Sequence, residues 1–236
     1  MVYINLPETH TNRRLSFYLA MEEFIARQVA ADDCFWMWQV DPSVIFGRNQ
    51  LVESEVNVDY CREHDIAMYR RKSGGGCVYA DRDNLMLSYV SLGDQVGLAF
   101  NRFIQMVLLV LRRMGVEAVG TSRNDVLIGD RKVCGTACYQ VGGHSIVHST
   151  LLYDTNMVHM TQAITPGPEK LRQKGIQSVR QRITLLKDHT TLTLDEVKQL
   201  IRTTLCTDVR MLTVAELEAI EQLEEEYLKN EFINKL

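Results

Sequence analysis

Two short breaks, Gly129-Asp130 and Gly142-Gly143, cut residues 124–153 into three strand-like runs, and this constrains the fold more than any other feature. Both dipeptides suit two-residue hairpin turns, so residues 124–128, 131–141 and 144–153 read as an antiparallel meander. Period-two alternation then assigns Lys132, Cys134, Thr136 and Cys138 to one face of the middle strand, with Val133, Gly135 and Ala137 on the other. Residues 34–40 and 43–46 read as strands broken at Asp41-Pro42, and residues 84–91 as another. Helical periodicity appears over residues 15–29, where Leu15, Tyr18, Leu19, Ile25, Ala26 and Val29 form a stripe that Thr11 or Asn12 is placed to cap. A second helix, 98–114, runs to Gly115, and residues 194–205 and 214–228 form two more, the first opened by a Thr193/Glu196 capping box. The polar stretch 155–173, with Pro166 and Pro168, reads as a mobile loop. Strands joined both by hairpins and by long helices predict an α/β (α+β) domain with a mixed, mainly antiparallel sheet flanked by helices.

At 236 residues and 46% hydrophobic, the chain can bury one large core or two unequal ones. A net charge of −4 gives no overall attraction to nucleic acid, so any basic site must be local. Residues 1–14 lack the apolar segment of a signal peptide, and the longest apolar run, 106–111, is too short to cross a bilayer. A cytoplasmic protein with no membrane partner is expected. The six cysteines are scattered without zinc-ligand spacing, so neither a disulfide framework nor a structural metal is expected.

Chemistry concentrates in Arg70-Arg71-Lys72-Ser73-Gly74-Gly75-Gly76-Cys77-Val78-Tyr79. A bare glycine triplet is an ordinary tight turn. Beside two guanidinium groups and ahead of a β-favouring run, its backbone N–H groups suit an anion cradle instead.

The segments R-R-K-S-G-G-G-C-V-Y-A-D (70–81), R-N-D-V (123–126) and G-D-R-K-V-C-G-T-A (129–137) resemble the three motifs of lipoate–protein ligases, in the family's order. Supporting stretches at 17–23, 38–50, 148–152 and 174–182 extend the resemblance over roughly residues 15–185. It implies the large catalytic domain of the biotin/lipoate ligase superfamily, a class II synthetase-like fold. The implied reaction uses ATP and Mg²⁺ to turn lipoate, or octanoate, into an acyl-adenylate. The acyl group then passes to a lysine of an apo-lipoyl domain, in E2 subunits of 2-oxoacid dehydrogenases or the glycine-cleavage H protein. By this resemblance Lys132 is the catalytic lysine touching both phosphate and acyl carbonyl. Arg71, Gly76, Cys77, Val78 and Tyr79 hold ATP, with Asn124 and Asp125 near the phosphates and Asp125 toward Mg²⁺. Arg70, Ser73, Gly74, Gly75, Gly135, Ala137 and His148 surround lipoate.

The sequence departs from the family at Ala80, where a histidine is usual, at Asp83, where glycine is usual, and at Ser149 after His148. These departures leave open how the acyl chain is recognised. Residues 1–236 are expected to form the one catalytic domain, with the family's small C-terminal domain absent and a separate accessory chain supplying its part. Two alternatives stand beside the ligase: an octanoyl or lipoyl transferase working through a cysteine thioester, with Cys77, Cys134 and Cys138 as candidate thiols, and a non-catalytic paralogue that binds lipoate or lipoyl domains. A biotin ligase would be expected to carry G-R-G-R-x-G, which does not occur. The basic positions Lys174, Arg180 and Arg182 are candidates for meeting acidic acceptor domains.

Overall fold

The structure, a computed structural model, describes residues 1–7, 13–93, 95–121, 125–165 and 182–234. Along the chain, β1 (Val2–Asn5) leads to helix α1 (Leu15–Phe24), which continues as a π-helical turn through Ile25–Val29. Then come β2 (Cys34–Trp38), β3 (Ser43–Phe46), the short helices α2 (Val52–Glu55) and α3 (Val58–Glu63), β4 (Ala67–Arg70) and β5 (Val78–Ala80). Next are β6 (Leu85–Ser91), α4 (Val96–Arg113), β7 (Val119–Gly120), β8 (Asp125–Ile128), β9 (Arg131–Val141) and β10 (His144–Leu151). Helices α5 (Met157–Ala163) and α6 (Leu194–Leu205), strand β11 (Asp208–Met211), and helices α7 (Val214–Leu228) and α8 (Asn230–Ile233) complete it.

The large sheet has the order β11-β1-β2-β6-β10-β9-β8-β7, antiparallel except where β1 meets β2 and β11. Its centre is β6, buried at every residue, as expected of a strand covered on both faces. Helix α4 packs on the β8–β10 side, and its apolar stripe Phe103, Val107, Val110 and Leu111 meets Phe35, Leu87 and Leu151 in the core. Helix α1 lies against α7 and is buried all round. It nevertheless carries Ser16, Glu22 and Glu23, and buried carboxylates need partners. A small sheet, β4-β3-β5, stands beside the large one.

The meander holds as expected, and Gly142 and Gly143 both have positive φ (58° and 84°), the geometry a two-residue hairpin turn favours. Four expectations need correction. The strand expected over 34–40 stops at Trp38, and the long helix begins at Val96 rather than at 98. The stretch expected as a loop from residue 155 contains α5, because Asn156 Oδ1 accepts from the N–H groups of Val158 and His159 at 3.0 Å each and so caps a helix. Residues 166–181 lie outside the described residues, as do Thr11 and Asn12; the cap position of α1 is Arg14, which makes no side-chain cap bond. The fourth concerns β9. Val126 pairs with Cys134 and Leu127 with Lys132, so Val133 is an extra, unpaired residue, a β-bulge. It reverses the expected facing of Lys132.

Among the described residues, no helix is long and apolar enough to cross a membrane.

Candidate active site

The glycine segment is the connection from β4 to β5, the two outer strands of the small sheet, so it must pass over the end of β3. It can do so because of two glycines. A Cβ at Gly47, just beyond β3, would collide with the carbonyl oxygen of Gly75. Gly75 itself has φ +95°, a conformation that L side chains rarely adopt.

Arg71 organises this crossing. Its buried guanidinium donates from Nε to Ser73 Oγ (3.0 Å), from Nη1 to the Ile45 carbonyl (3.1 Å), and from Nη2 to the carbonyls of Gly74 and Gly76 (2.7 Å each). In a trans peptide the N–H points opposite to the C=O. With the Gly74 and Gly76 carbonyls drawn inward, the N–H groups of Gly75 and Cys77 therefore turn away from Arg71, and Gly74, Gly75 and Gly76 are exposed. Burial pulls the Arg71 pKa down to about 10, which still leaves it charged at neutral pH, so a positive charge sits behind the outward N–H groups.

The expected pair of anion-binding guanidinium groups is thereby corrected. Arg71 supports the cradle from beneath. Arg70 turns elsewhere: Nε donates to the Ile233 carbonyl (2.9 Å) and Nη1 to the carbonyls of Gly47, Arg48 and Gln50, with its guanidinium 4.8 Å from the Phe46 ring centroid. Five donors in a fixed fork suit such carbonyl clusters, and both arginines brace the backbone.

Ser73 is fully buried and begins a chain of hydrogen bonds into the core. Ser73 Oγ lies 2.7 Å from His148 Nε2, and His148 Nδ1 lies 2.8 Å from Glu22 Oε2. Ser88 Oγ donates to Glu22 Oε1 at 2.6 Å, and Trp38 Nε1 donates to Ser88 Oγ at 2.9 Å. The order Ser–His–Glu is that of a nucleophilic triad, but Ser73 has no exposure and already accepts from Arg71. It links the glycine bend to the sheet; it is not placed to attack a substrate. Sequence reasoning found Ser73 and His148 and missed Glu22, Ser88 and Trp38. The available signal was Glu22-Glu23 inside an otherwise apolar helix.

Across from the bend, Lys132 emerges from the bulge. Its Nζ and Cε occupy the space where a Cβ on Gly135 would sit, and Ala137 Cβ is 4.0 Å from the position of a Cβ on Gly75. Lys132 therefore shares a face with Gly135 and Ala137, not with Cys134, Thr136 and Cys138 as alternation predicts, because the extra Val133 shifts the phase by one residue. Gly135 is not a bare floor for a ligand; it makes room for the lysine side chain. The ammonium and the glycine bend thus stand over positions two residues apart on one strand, about 7 Å.

Lys132 Nζ is 2.7 Å from Asp125 Oδ1, and Arg182 Nη2 is 2.7 Å from Asp125 Oδ2. Both carboxylate oxygens are thus paired with cationic nitrogens. No cluster of three or more His, Cys, Asp or Glu side chains that could hold a metal occurs among the described residues. Asp125, the expected magnesium ligand, here pairs with Lys132 and Arg182. Asn124 lies outside the described residues.

The candidate thiols are poor nucleophiles. Burial pushes Cys77 up to about 12 and Cys134 and Cys138 up to about 11, so little thiolate exists near neutrality. Of the remaining expected residues, Tyr79 is buried, while Cys77 and Val78 are half-buried beside the bend. Asp81, next to the departure at Ala80, is structural: it accepts from the N–H groups of Asp83 (3.1 Å) and Asn156 (2.9 Å), pinning the turn before β6.

Residues 15–206 match the model of the lipoyl protein ligase A/B catalytic domain. The chain belongs to this family. Among curated relatives, it is 33% identical over 213 residues to lipoate–protein ligase 1 of Staphylococcus aureus, covering 87% of this chain and 65% of the relative. It is 35% identical over 167 residues to lipoate–protein ligase LplJ of Bacillus subtilis, covering 70% and 50%. The chain thus spans half to two thirds of the length of these ligases. Among solved structures, a chain from the archaeal lipoylation system of Thermoplasma acidophilum, described as a bi-partite lipoate protein ligase and its E2 lipoyl domain, superposes with TM-score 0.84 at 26% identity, covering 100% of this chain and 96% of that one. The family fold is the mixed, mainly antiparallel architecture described above.

Proposed function

We propose that this chain is a lipoate–protein ligase catalytic unit: it joins lipoate to AMP and passes the lipoyl group to a lysine of an acceptor lipoyl domain. One observation carries the reading. The bulge at Val133 holds the Lys132 side chain on the strand face that carries Gly135 and Ala137, and Ala137 lies next to Gly75 of the glycine bend.

In the first step a lipoate carboxylate oxygen bonds to the α-phosphorus of ATP, the bond to the β-phosphate bridge breaks, and pyrophosphate leaves. The backbone from Gly74 to Tyr79 faces the anionic nucleotide, and Lys132 offers a compact charge to the α-phosphate. In the second step the acceptor lysine's neutral amine attacks the acyl carbonyl carbon, AMP leaves with the bonding pair, and the proton shed by the nitrogen passes to the departing phosphate or to water. Negative charge builds on the carbonyl oxygen, where a fixed ammonium stabilises it without reorganisation. Mg²⁺ bound with the nucleotide would neutralise phosphate charge, and Asp125, whose Oδ1 becomes free when Lys132 turns to the substrate, is the carboxylate that could meet it. His148, whose two ring nitrogens are held by Ser73 and Glu22, is proposed to border the acyl chain.

Residues 1–236 act as the catalytic unit, working with a separate accessory chain for the adenylation step. The likeness to one chain of a bi-partite ligase supports that arrangement. Lipoyl domains of E2 subunits or the H protein are the acceptors. The test supplies the chain with ATP, Mg²⁺ and lipoate or octanoate, or with preformed lipoyl-adenylate, plus an apo-lipoyl domain, and weighs the products. An acceptor heavier by one acyl amide, dependent on ATP or the adenylate, is expected. Acyl transfer from another carrier without nucleotide, with a thioester trapped on a cysteine of this chain, would overturn the reading.

A further inference from the structure

We propose that Arg182 is a positioning residue for Lys132, acting through Asp125 as a carboxylate the two cations share. This rests on the reading of Lys132 given above. Asp125 holds one cation on each oxygen, both at 2.7 Å, and its side chain is only 14% exposed. The backbone beside Arg182 is fastened to the same lysine: Ile183 bridges to Lys132 in parallel, and the Thr184 N–H donates to the Lys132 carbonyl at 2.9 Å. Three segments of the chain, the start of β8, the bulge of β9 and residues 182–184, therefore converge on one carboxylate.

The arrangement sets how readily Lys132 changes partner. To reach a phosphate or an acyl oxygen, the ammonium must leave Asp125 Oδ1. A shielded carboxylate resists losing its last cation, because the remaining charge would be unpaired. With Arg182 retained on Oδ2, Asp125 keeps a counter-charge and the lysine is released to the incoming anion. Without Arg182 the carboxylate has one partner left and retains it. Arg182 touches Asp125 and acts on chemistry through it.

This predicts an interaction between two substitutions that a purely structural role would not produce. With preformed lipoyl-adenylate and an apo-lipoyl domain, Arg182→Gln lowers kcat/KM by about tenfold or more, the scale of one charged hydrogen bond. Adding Asp125→Asn to that variant recovers part of the loss, because the carboxylate that traps the lysine is gone. Arg182→Lys retains more activity than Arg182→Gln, and thermal melting monitors folding of each variant. Should Arg182→Gln fail to fold, Arg182→Lys with and without Asp125→Asn makes the same comparison. Wild-type kinetics in Arg182→Gln, or a further loss in the double variant, overturns the proposal. Lys132→Ala runs alongside: if it turns over normally, the reading of Lys132 itself fails, whereas an inactive Lys132→Ala with no Arg182 effect sinks only the shared-carboxylate proposal.

Discussion

Arg71 and Gly135 show how a residue serves the site without facing a substrate. Arg71→Ala would orphan the buried carbonyl of Ile45 and untie the part-buried carbonyls of Gly74 and Gly76, and a single unsatisfied buried acceptor costs about 1–3 kcal/mol. Denaturant unfolding is expected to show a loss of about 2 kcal/mol or more. Arg71→Lys should rescue little of it, since one ammonium cannot reproduce a fork. Gly135→Ala is the contrasting case. The new Cβ would meet only the flexible end of Lys132, so the melting temperature should barely change. Displacing the ammonium should still lower acyl transfer, measured as acceptor mass gain over time. A Gly135→Ala protein with normal transfer would show that the lysine's resting place does not matter.

At the scale of elements, legibility followed the range of the physical signal. Strand β9 with its turn into β10, and helices α6 and α7, were readable because hairpin glycines, periodicity and the Thr193/Glu196 box are local. The second capping box, Thr213/Glu216 at α7, was readable by the same rule and was overlooked. Each of Thr193→Ala and Thr213→Ala should cost about 1 kcal/mol in chemical denaturation. Strands β1 and β11 were not read: each is four residues long, and their parallel pairing joins the two ends of the chain without a nearby turn. The bulge was hidden for a related reason. An extra residue in β9 is defined only by its pairing with β8, so alternation along β9 alone placed Lys132 on the wrong face. The motif residues were therefore correctly gathered, while the reason they gather was not visible. Arg70 read as an anion ligand because the carbonyls that claim it come from the distant 47–50 segment, and Arg71 because neither the Ile45 carbonyl of β3 nor the inward turn of the Gly74 and Gly76 carbonyls is visible in the sequence.

Across the whole molecule, Lys72, just ahead of the glycine bend, ties it to two helices. Lys72 Nζ donates to Glu23 of α1 (2.7 Å) and Glu226 of α7 (3.0 Å), and lies 4.8 Å from the Tyr227 ring centroid. Burial raises the Glu23 pKa, but Lys72 and Arg27 outweigh it and hold the carboxyl below its usual value. A lowered folded pKa gives stability that is present above the unfolded value, near 4.3, and lost as pH falls through the folded one. Melting temperature should accordingly drop on acidification below about pH 4.3, and less so in Glu23→Gln. An identical acid limb in that variant would exclude Glu23 as its source. The central claim, that Lys132 stabilises the charge developing in acyl transfer, is tested most directly by single-turnover reaction of preformed lipoyl-adenylate with an apo-lipoyl domain. Lys132→Ala should fold with wild-type secondary structure and transfer the lipoyl group at least about a hundredfold more slowly, the scale of one lost oxyanion-stabilising donor. An unchanged single-turnover rate would contradict the account.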